Sequence, residues 1–308
     1  MWAYGACFLG VVGHATSEFF SVLSATSGPE VSVWRFLIGA LSLLIVSLSI
    51  KDSRNLIEPL RHHGWQILVL SLFGMALAQL VFHWSLDFAS VTQVATMVTT
   101  MPMFVVILDR LINHTAISAP KVVSGLGAFA GVVLLLTDGY FEQLSFGKGA
   151  IYGVIMALIA TILGSLYMVL MRPLMQAYGA IRLTTLTFVI GAIGLWATVG
   201  IAWNIWVDPM TLFDRPSGAY WSLITLGVWN TCIGFILWFW GLSVAPDMGR
   251  ANYLFFLKPV IAALFAMLFL GNDITVIQMF AIVVVIGCVA GEMFYVPISR
   301  TLRRNISS

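Results

Sequence analysis

Charge is scarce in this chain: Asp, Glu, Lys and Arg make up 9% of its 308 residues, and hydrophobic residues 60%. A soluble domain carries roughly a quarter charged residues, so a soluble fold is excluded at the outset. The basic residues are too few and too scattered, and the formal charge of +2 too small, for the patch or stripe that nucleic acid requires. Nucleic acid is not an expected partner. Cysteine is equally sparse: Cys7, Cys232 and Cys288 fall inside apolar runs without paired spacing, so neither a disulfide framework nor a metal site is expected. They read as small buried apolar residues. HExxH is missing, the His62-His63 pair sits in a polar break, and GLGAFAG at 125 to 131 is not GxGxxG. No catalytic metal, nucleophile with its base, or dinucleotide cofactor is implied. The opening MWAYGACFLGVVG lacks a basic n-region and is expected to be a retained first helix instead of a signal peptide.

What the chain does have is apolar blocks of about twenty residues, each long enough to cross a hydrocarbon layer of about 30 Å as a helix. Ten such blocks are expected, at about 2 to 23, 31 to 50, 65 to 86, 91 to 112, 120 to 137, 149 to 171, 183 to 206, 219 to 244, 250 to 270 and 275 to 296. The fold class is therefore an all-α integral membrane protein. Breaks such as SGPE, KDSRN, DPMTLFDRPSG and GND punctuate it with glycine, proline and charge. Lys51, Arg54, Arg61, Arg110, Lys121, Arg172, Arg182, Arg250, Arg300, Arg303 and Arg304 fall on the side of both termini; the other side has Arg35, Lys148 and Arg215. By the positive-inside rule both termini are expected in the cytoplasm.

The two halves resemble each other. In residues 78 to 104 and 234 to 261, Trp84 matches Trp240, Leu86 matches Leu242, Ala89 matches Ala245 and, after a one-residue shift, Pro102 matches Pro259. Gly127 and Gly131 form a GxxxG in the fifth block, as do Gly287 and Gly291 in the tenth; this spacing permits close helix approach, within one molecule or across a homodimer. Five spans per half would make the second copy enter the membrane inverted. Residues 1–140 and 141–299 are then two repeats, followed by a short basic cytoplasmic tail at 300–308. Inverted repeats place a site near the midplane and permit alternating access.

On these residues the chain resembles the drug/metabolite transporter superfamily, in its ten-helix branch of two EamA-type repeats. The resemblance rests on the Arg35-Phe36 step early in the second helix, the Ala/Leu/Ala pattern ending the third and eighth, and the Pro-containing fourth and ninth. It spans nearly the whole chain, and within the superfamily the chain is most similar to exporters of aromatic and other neutral amino acids. The family usually has Leu-Glu-Pro in the ninth helix; here it is Leu257-Lys258-Pro259, so a family acidic role does not carry over to this position.

Polar residues inside the spans are the candidate site. Lys258 lies near the midplane, where a charge costs about 2.5–3.5 kcal/mol and needs a partner, water or substrate. It either faces a transport cavity or snorkels and pairs with Glu292 on the tenth helix. Gln79 and His83, four apart, share a face of the third helix; with Thr100, Asn230 and His14 they form a polar layer, and Trp238 an aromatic wall. An interhelical hydrogen bond is the alternative for each; it is the favoured reading for the threonines, whereas lining of the cavity is favoured for Gln79, His83 and Asn230. Pro102 and Pro259 each remove a helical hydrogen bond and read as paired kinks or hinges. Glu18 and Arg35, at similar shallow depth, read as a structural ion pair.

The expected function is export of small neutral metabolites, aromatic and other neutral amino acids first, by alternating access across the plasma (inner) membrane of a prokaryote. A multidrug, amine or nucleobase-type transporter of the same fold is the alternative, and an intramembrane enzyme the rival from another class.

Overall fold

In hydrocarbon a backbone N–H or C=O finds no water, so a spanning segment must satisfy its own polar groups as helix. The computed structural model follows that rule. It describes residues 2–144, 150–270 and 273–306; at Glu18, Val22, Glu142, Gln143, Ala266, Phe269, Leu270 and 295–306 it describes the backbone alone. Eight helices are long and apolar enough to cross a membrane unaided. In chain order they are α2 (Gly28–Ser49), α3 (Ile57–Ser85), α4 (Val91–Asn113), α5 (Ala119–Thr137), α6 (Ala150–Tyr178), α7 (Ala180–Trp203), α8 (Ser217–Val244) and α10, whose apolar part is Val276–Phe294 and whose helix runs to Ile306. Two interrupted rods complete the set: α1, built from Trp2–Ala15 and Ser17–Leu23, and α9, built from Met248–Asn252, a 3-10 turn Tyr253–Phe256 and Leu257–Leu270. There is no strand among the described residues.

Several expected boundaries move for local reasons. α2 starts at Gly28, ahead of the expected 31, because Pro29 suits a first helical turn. α6 continues through Pro173 to Tyr178, past the expected 171, and its break comes at Gly179, whose φ of +91° closes the turn into α7. α3 begins at Ile57 and bends at His63, where φ is −133°.

The helices also break internally, at matched places. A π-helical stretch covers Leu70–Ala76 in α3, and another Leu226–Ile233 in α8; the spacing is that of Trp84 to Trp240. In α4 the helix stops at Val98 and restarts at Met101, one residue before Pro102. In α9 the 3-10 turn ends at Phe256, three residues before Pro259. The lost N–H of each proline falls where the ladder is already interrupted.

Packing follows the same order. Extensive helix contacts pair α5 with α10, α1 with α8, α2 with α7, α3 with α6, α4 with α6 and, less extensively, α9 with α1, together with the π stretches of α8 and α3 against α2 and α7 respectively. Adding five to each of α1–α5, and subtracting five from each of α6–α10, returns the same set. Close approach at α1/α8 needs residues without side chains: a Cβ on Gly10 would lie 2.8 Å from the Trp238 backbone nitrogen. Gly127 and Gly131 likewise meet Cys288 and Val285 of α10, whereas Gly287 and Gly291 meet nothing within 4 Å. One GxxxG therefore serves internal packing.

Candidate functional site

Two cavities lie where the interrupted helices meet. The inner one, about 80 Å³, is walled by His14 of α1, Arg35 of α2, Gln79 and Phe82 of α3, Phe235 and Trp238 of α8 and Lys258 of α9, with Ala160, Thr161 and Gly164 of α6 behind. The other, about 480 Å³, is walled by Thr16, Phe19 and Phe20 of α1, Ala95 and Thr99 of α4, Leu136 of α5 and Ala262 and Phe265 of α9. Val98 and Lys258 border both.

Arg35 is 2% exposed. Its Nε donates to Thr231 Oγ1 at 2.9 Å, within the π stretch of α8, and its guanidinium lies 5.8 Å from the Phe235 ring centre. Its Nη1 is 3.4 Å from His83 Nε2. Guanidinium can only donate, so that contact makes Nε2 the acceptor and leaves the imidazole proton on Nδ1, 2.8 Å from Ser32 Oγ. Arg35 thus reaches the core, deeper than its sequence position implied; from Gly28 it lies seven residues, roughly 10 Å, into the helix. The expected partner in an ion pair, Glu18, has its side chain outside the described residues.

Lys258 is 8% exposed, with its Nζ 5.9 Å from the Phe82 ring and 5.7 Å from the Phe255 ring. Glu292, the alternative partner, instead accepts from Arg250 Nε at 3.2 Å. Gln79 presents a buried Oε1 that has no hydrogen-bond partner among the described residues, a state that normally calls for a ligand or water.

The remaining expected site residues are placed differently. His83 is buried behind Arg35 and does not line either cavity. Asn230 donates to the Gly13 carbonyl and, at 2.9 Å, to Thr16 Oγ1, tying α8 to α1. The Thr100 hydroxyl turns back to Met97 O at 2.5 Å, and its neighbour Thr99 lines the larger cavity. Neither Asn230 nor Thr100 lines a cavity: the Thr100 hydroxyl goes to a helix carbonyl and the Asn230 amide N–H groups to α1, while the Asn230 Oδ1 has no partner among the described residues. Phe235 and Ser17 line the inner cavity unforeseen; Phe235, three residues before Trp238, could have been read from helical spacing.

The end of the bundle nearest Trp2 is sealed. Lys121 of α5 pairs with Asp247 in the α8–α9 turn at 2.8 Å, Arg250 with Glu292 as above, and the Tyr253 hydroxyl donates to the Lys121 carbonyl. Arg172 and Gln176 of α6 donate to the carbonyls of Ala245 and Ser243, each at 2.7 Å. Burial alone would raise the Asp247 carboxyl, but the hydrogen bonds from Lys121 and the Arg250 backbone, with the charges of both side chains, hold it below the usual carboxylate range.

Known proteins resemble the chain throughout. A solved crystal structure superposes with a TM-score of 0.79 over 99% of each chain at 18% identity, which speaks to the fold. An uncharacterized transporter of Clostridium kluyveri is 23% identical over 90% of this chain and 88% of its own. The uncharacterized transporter YyaM of Bacillus subtilis is 25% identical over 83% of this chain and 81% of its own. The sequence profile of the EamA-like transporter family matches residues 1–137 and 151–291. The chain therefore belongs to the EamA-like transporter family, as a multi-pass membrane transporter of a small molecule and not an enzyme.

Proposed function

We propose that the protein exports neutral amino acids, aromatic ones among them, from a prokaryotic cell across its plasma membrane. The carrying observation is the inner cavity, which sets two cationic side chains, Arg35 and Lys258, beside an unpartnered acceptor, Gln79 Oε1, and an aromatic wall at Trp238 and Phe235. A zwitterion suits that set: its carboxylate takes charge-assisted bonds from the cations, and its ammonium donates to Gln79. A purely cationic amine would lack the carboxylate that these side chains can bind, which makes the multidrug reading the lesser one.

Residues 1–140 and 141–299 are two copies of one unit, inserted in opposite sense, with 300–308 as a basic cytoplasmic tail. The exchange symmetry of the helix contacts, the matched π stretches and the double family match support this. The excess of Lys and Arg supports both termini in the cytoplasm, so that the sealed end faces inward. Alternating access then proceeds by bending at the Pro102 and Pro259 breaks. The open face of Gly287 and Gly291 is where a homodimer would form.

The test is counterflow in liposomes loaded with one unlabelled amino acid at a time. Neutral amino acids should compete, and Lys258→Met should weaken that competition by roughly ten- to over a hundredfold, as expected for a charge-assisted bond of about 1.5–3 kcal/mol. A folded Lys258→Met protein with unchanged counterflow would refute the site, and indifference to every neutral amino acid would refute the substrate class.

A further inference from the structure

The two cavities differ in size and in lining. At about 80 Å³ the inner one has room for a few waters, each needing about 10–15 Å³, or for one small polar head. A whole metabolite does not fit. The outer one, about 480 Å³, lies within the roughly 300–1,000 Å³ of sites that enclose a drug-sized ligand. Lys258 and Val98 stand at their junction.

Apart from Lys258 at the junction, the polar side chains lining the outer chamber already spend their hydrogen-bond donors. The Thr99 hydroxyl donates to Thr96 O at 2.8 Å; that of Thr16 donates to Gly13 O at 3.0 Å and accepts from Asn230 at 2.9 Å. A hydroxylated or heteroatom-rich body entering there would lose water without gaining partners, at a cost of roughly 1–3 kcal/mol per polar group. A hydrocarbon body loses nothing. Part of the wall is already bulky, at Phe19, Phe20, Leu136 and Phe265. Ala95 of α4 and Ala262 of α9 are small and half-buried, so the free space above Lys258 depends on them.

We infer that the carrier takes amphipathic substrates head first, with a charged head in the inner cavity and a hydrocarbon body in the outer one, and that Ala95 and Ala262 set how bulky that body can be. This rests on the carrier reading above. It sets sugars and nucleobases outside the substrate class and ranks neutral amino acids by apolar bulk.

The experiment is counterflow competition by alanine, leucine, phenylalanine and tryptophan, with matching carboxylates and amines as parallel series, and with a nucleobase and a hexose. The parent protein should prefer the larger apolar bodies. Ala262→Phe and Ala95→Phe should lower the ratio of tryptophan to alanine affinity by at least about tenfold, the discrimination a hydrophobic pocket gives for small changes in bulk. A parent that ranks alanine with tryptophan, or takes the nucleobase or hexose as well, overturns the inference even if neither variant folds; a chamber filled by bilayer lipid would give that size-independent result. Folded variants with an unchanged ratio overturn it too. Indifference to all three head-group series defeats the carrier reading instead, and the inference with it.

Discussion

Arg250→Ala is the sharpest perturbation of the sealed end. Glu292 is 0% exposed, its Oε1 accepts from Arg250 at 3.2 Å, and its Oε2 has no partner among the described residues. Removing Arg250 strands a buried carboxylate, which costs about 3–5 kcal/mol, or roughly two to three and a half powers of ten in the ratio of closed to open forms. Opening the end hydrates Glu292 and recovers part of that cost, so the balance shifts toward the open form. The neighbouring pair is a contrast. The acid of Lys121–Asp247 is 35% exposed, so Lys121→Ala should cost about 0–1 kcal/mol, at most about fivefold. Ala245, 2% exposed at this end, becomes the reporter as Ala245→Cys in a protein whose native cysteines are replaced by alanine. Labelling by an impermeant maleimide should accelerate at least tenfold in Arg250→Ala, within the range above, and only modestly in Lys121→Ala. Arg250→Met with Glu292→Met, which removes both charges together, should return close to the parent rate. Unchanged labelling in a folded Arg250→Ala protein, or a double variant as open as the single one, would refute the reasoning.

Three further outcomes follow from the same geometry. The folded Asp247 carboxyl titrates below its ordinary value of about 4, so its pairing contributes fully above that value and is lost as pH falls through the lowered one. The distance between spin labels at Ile117→Cys and Pro246→Cys should stay constant from neutral pH down to about 5 and lengthen only below about 4; lengthening near pH 6 would contradict this assignment. Gly10→Ala places a Cβ 2.8 Å from the Trp238 backbone, whereas Gly5→Ala meets nothing within 4 Å. Thermal melting should therefore show a loss of about 1–3 kcal/mol for the first and none for the second; equal melting would remove the close α1/α8 contact. Asn230→Ala deletes a tie to α1 and should cost about 0.6–1.7 kcal/mol while leaving counterflow affinity within about twofold. A tenfold loss of affinity in a stable Asn230→Ala protein would return Asn230 to the cavity wall.

The helical membrane architecture was legible because hydrocarbon tolerates little else: twenty-residue apolar blocks admit one backbone solution. The kinks at Pro102 and Pro259 were legible for a related reason, since a missing N–H has a fixed address. The π stretches at Leu70–Ala76 and Leu226–Ile233 were not. No proline or glycine pattern announces an inserted residue in a helix, whose extra bulge is set by what packs against it; Thr231 there holds Arg35. Side-chain direction was equally hidden. Gln79, Trp238 and Lys258 line the inner cavity, but Asn230 and Thr100, at comparable depth, spend their hydrogen-bond donors on helix contacts. Depth along a helix is readable from residue number only once the start of the helix is known, as the start at Gly28 shows for Arg35. Azimuth in an all-apolar helix is not readable even then, because no polar face fixes it.

That distinction bears on Arg35 and Lys258. A guanidinium and an ammonium placed around one small cavity repel each other, and a fold selected only for stability would replace either with a hydrophobe. Their place at an opening joined to a larger apolar chamber suits the anionic group of the proposed substrate. The same two charges would make the empty carrier costly to hold in its inner, desolvated arrangement and less costly once a carboxylate is present. On the proposed reading a bound carboxylate would offset positive charge in the cavity and so ease switching, which would couple occupancy to movement.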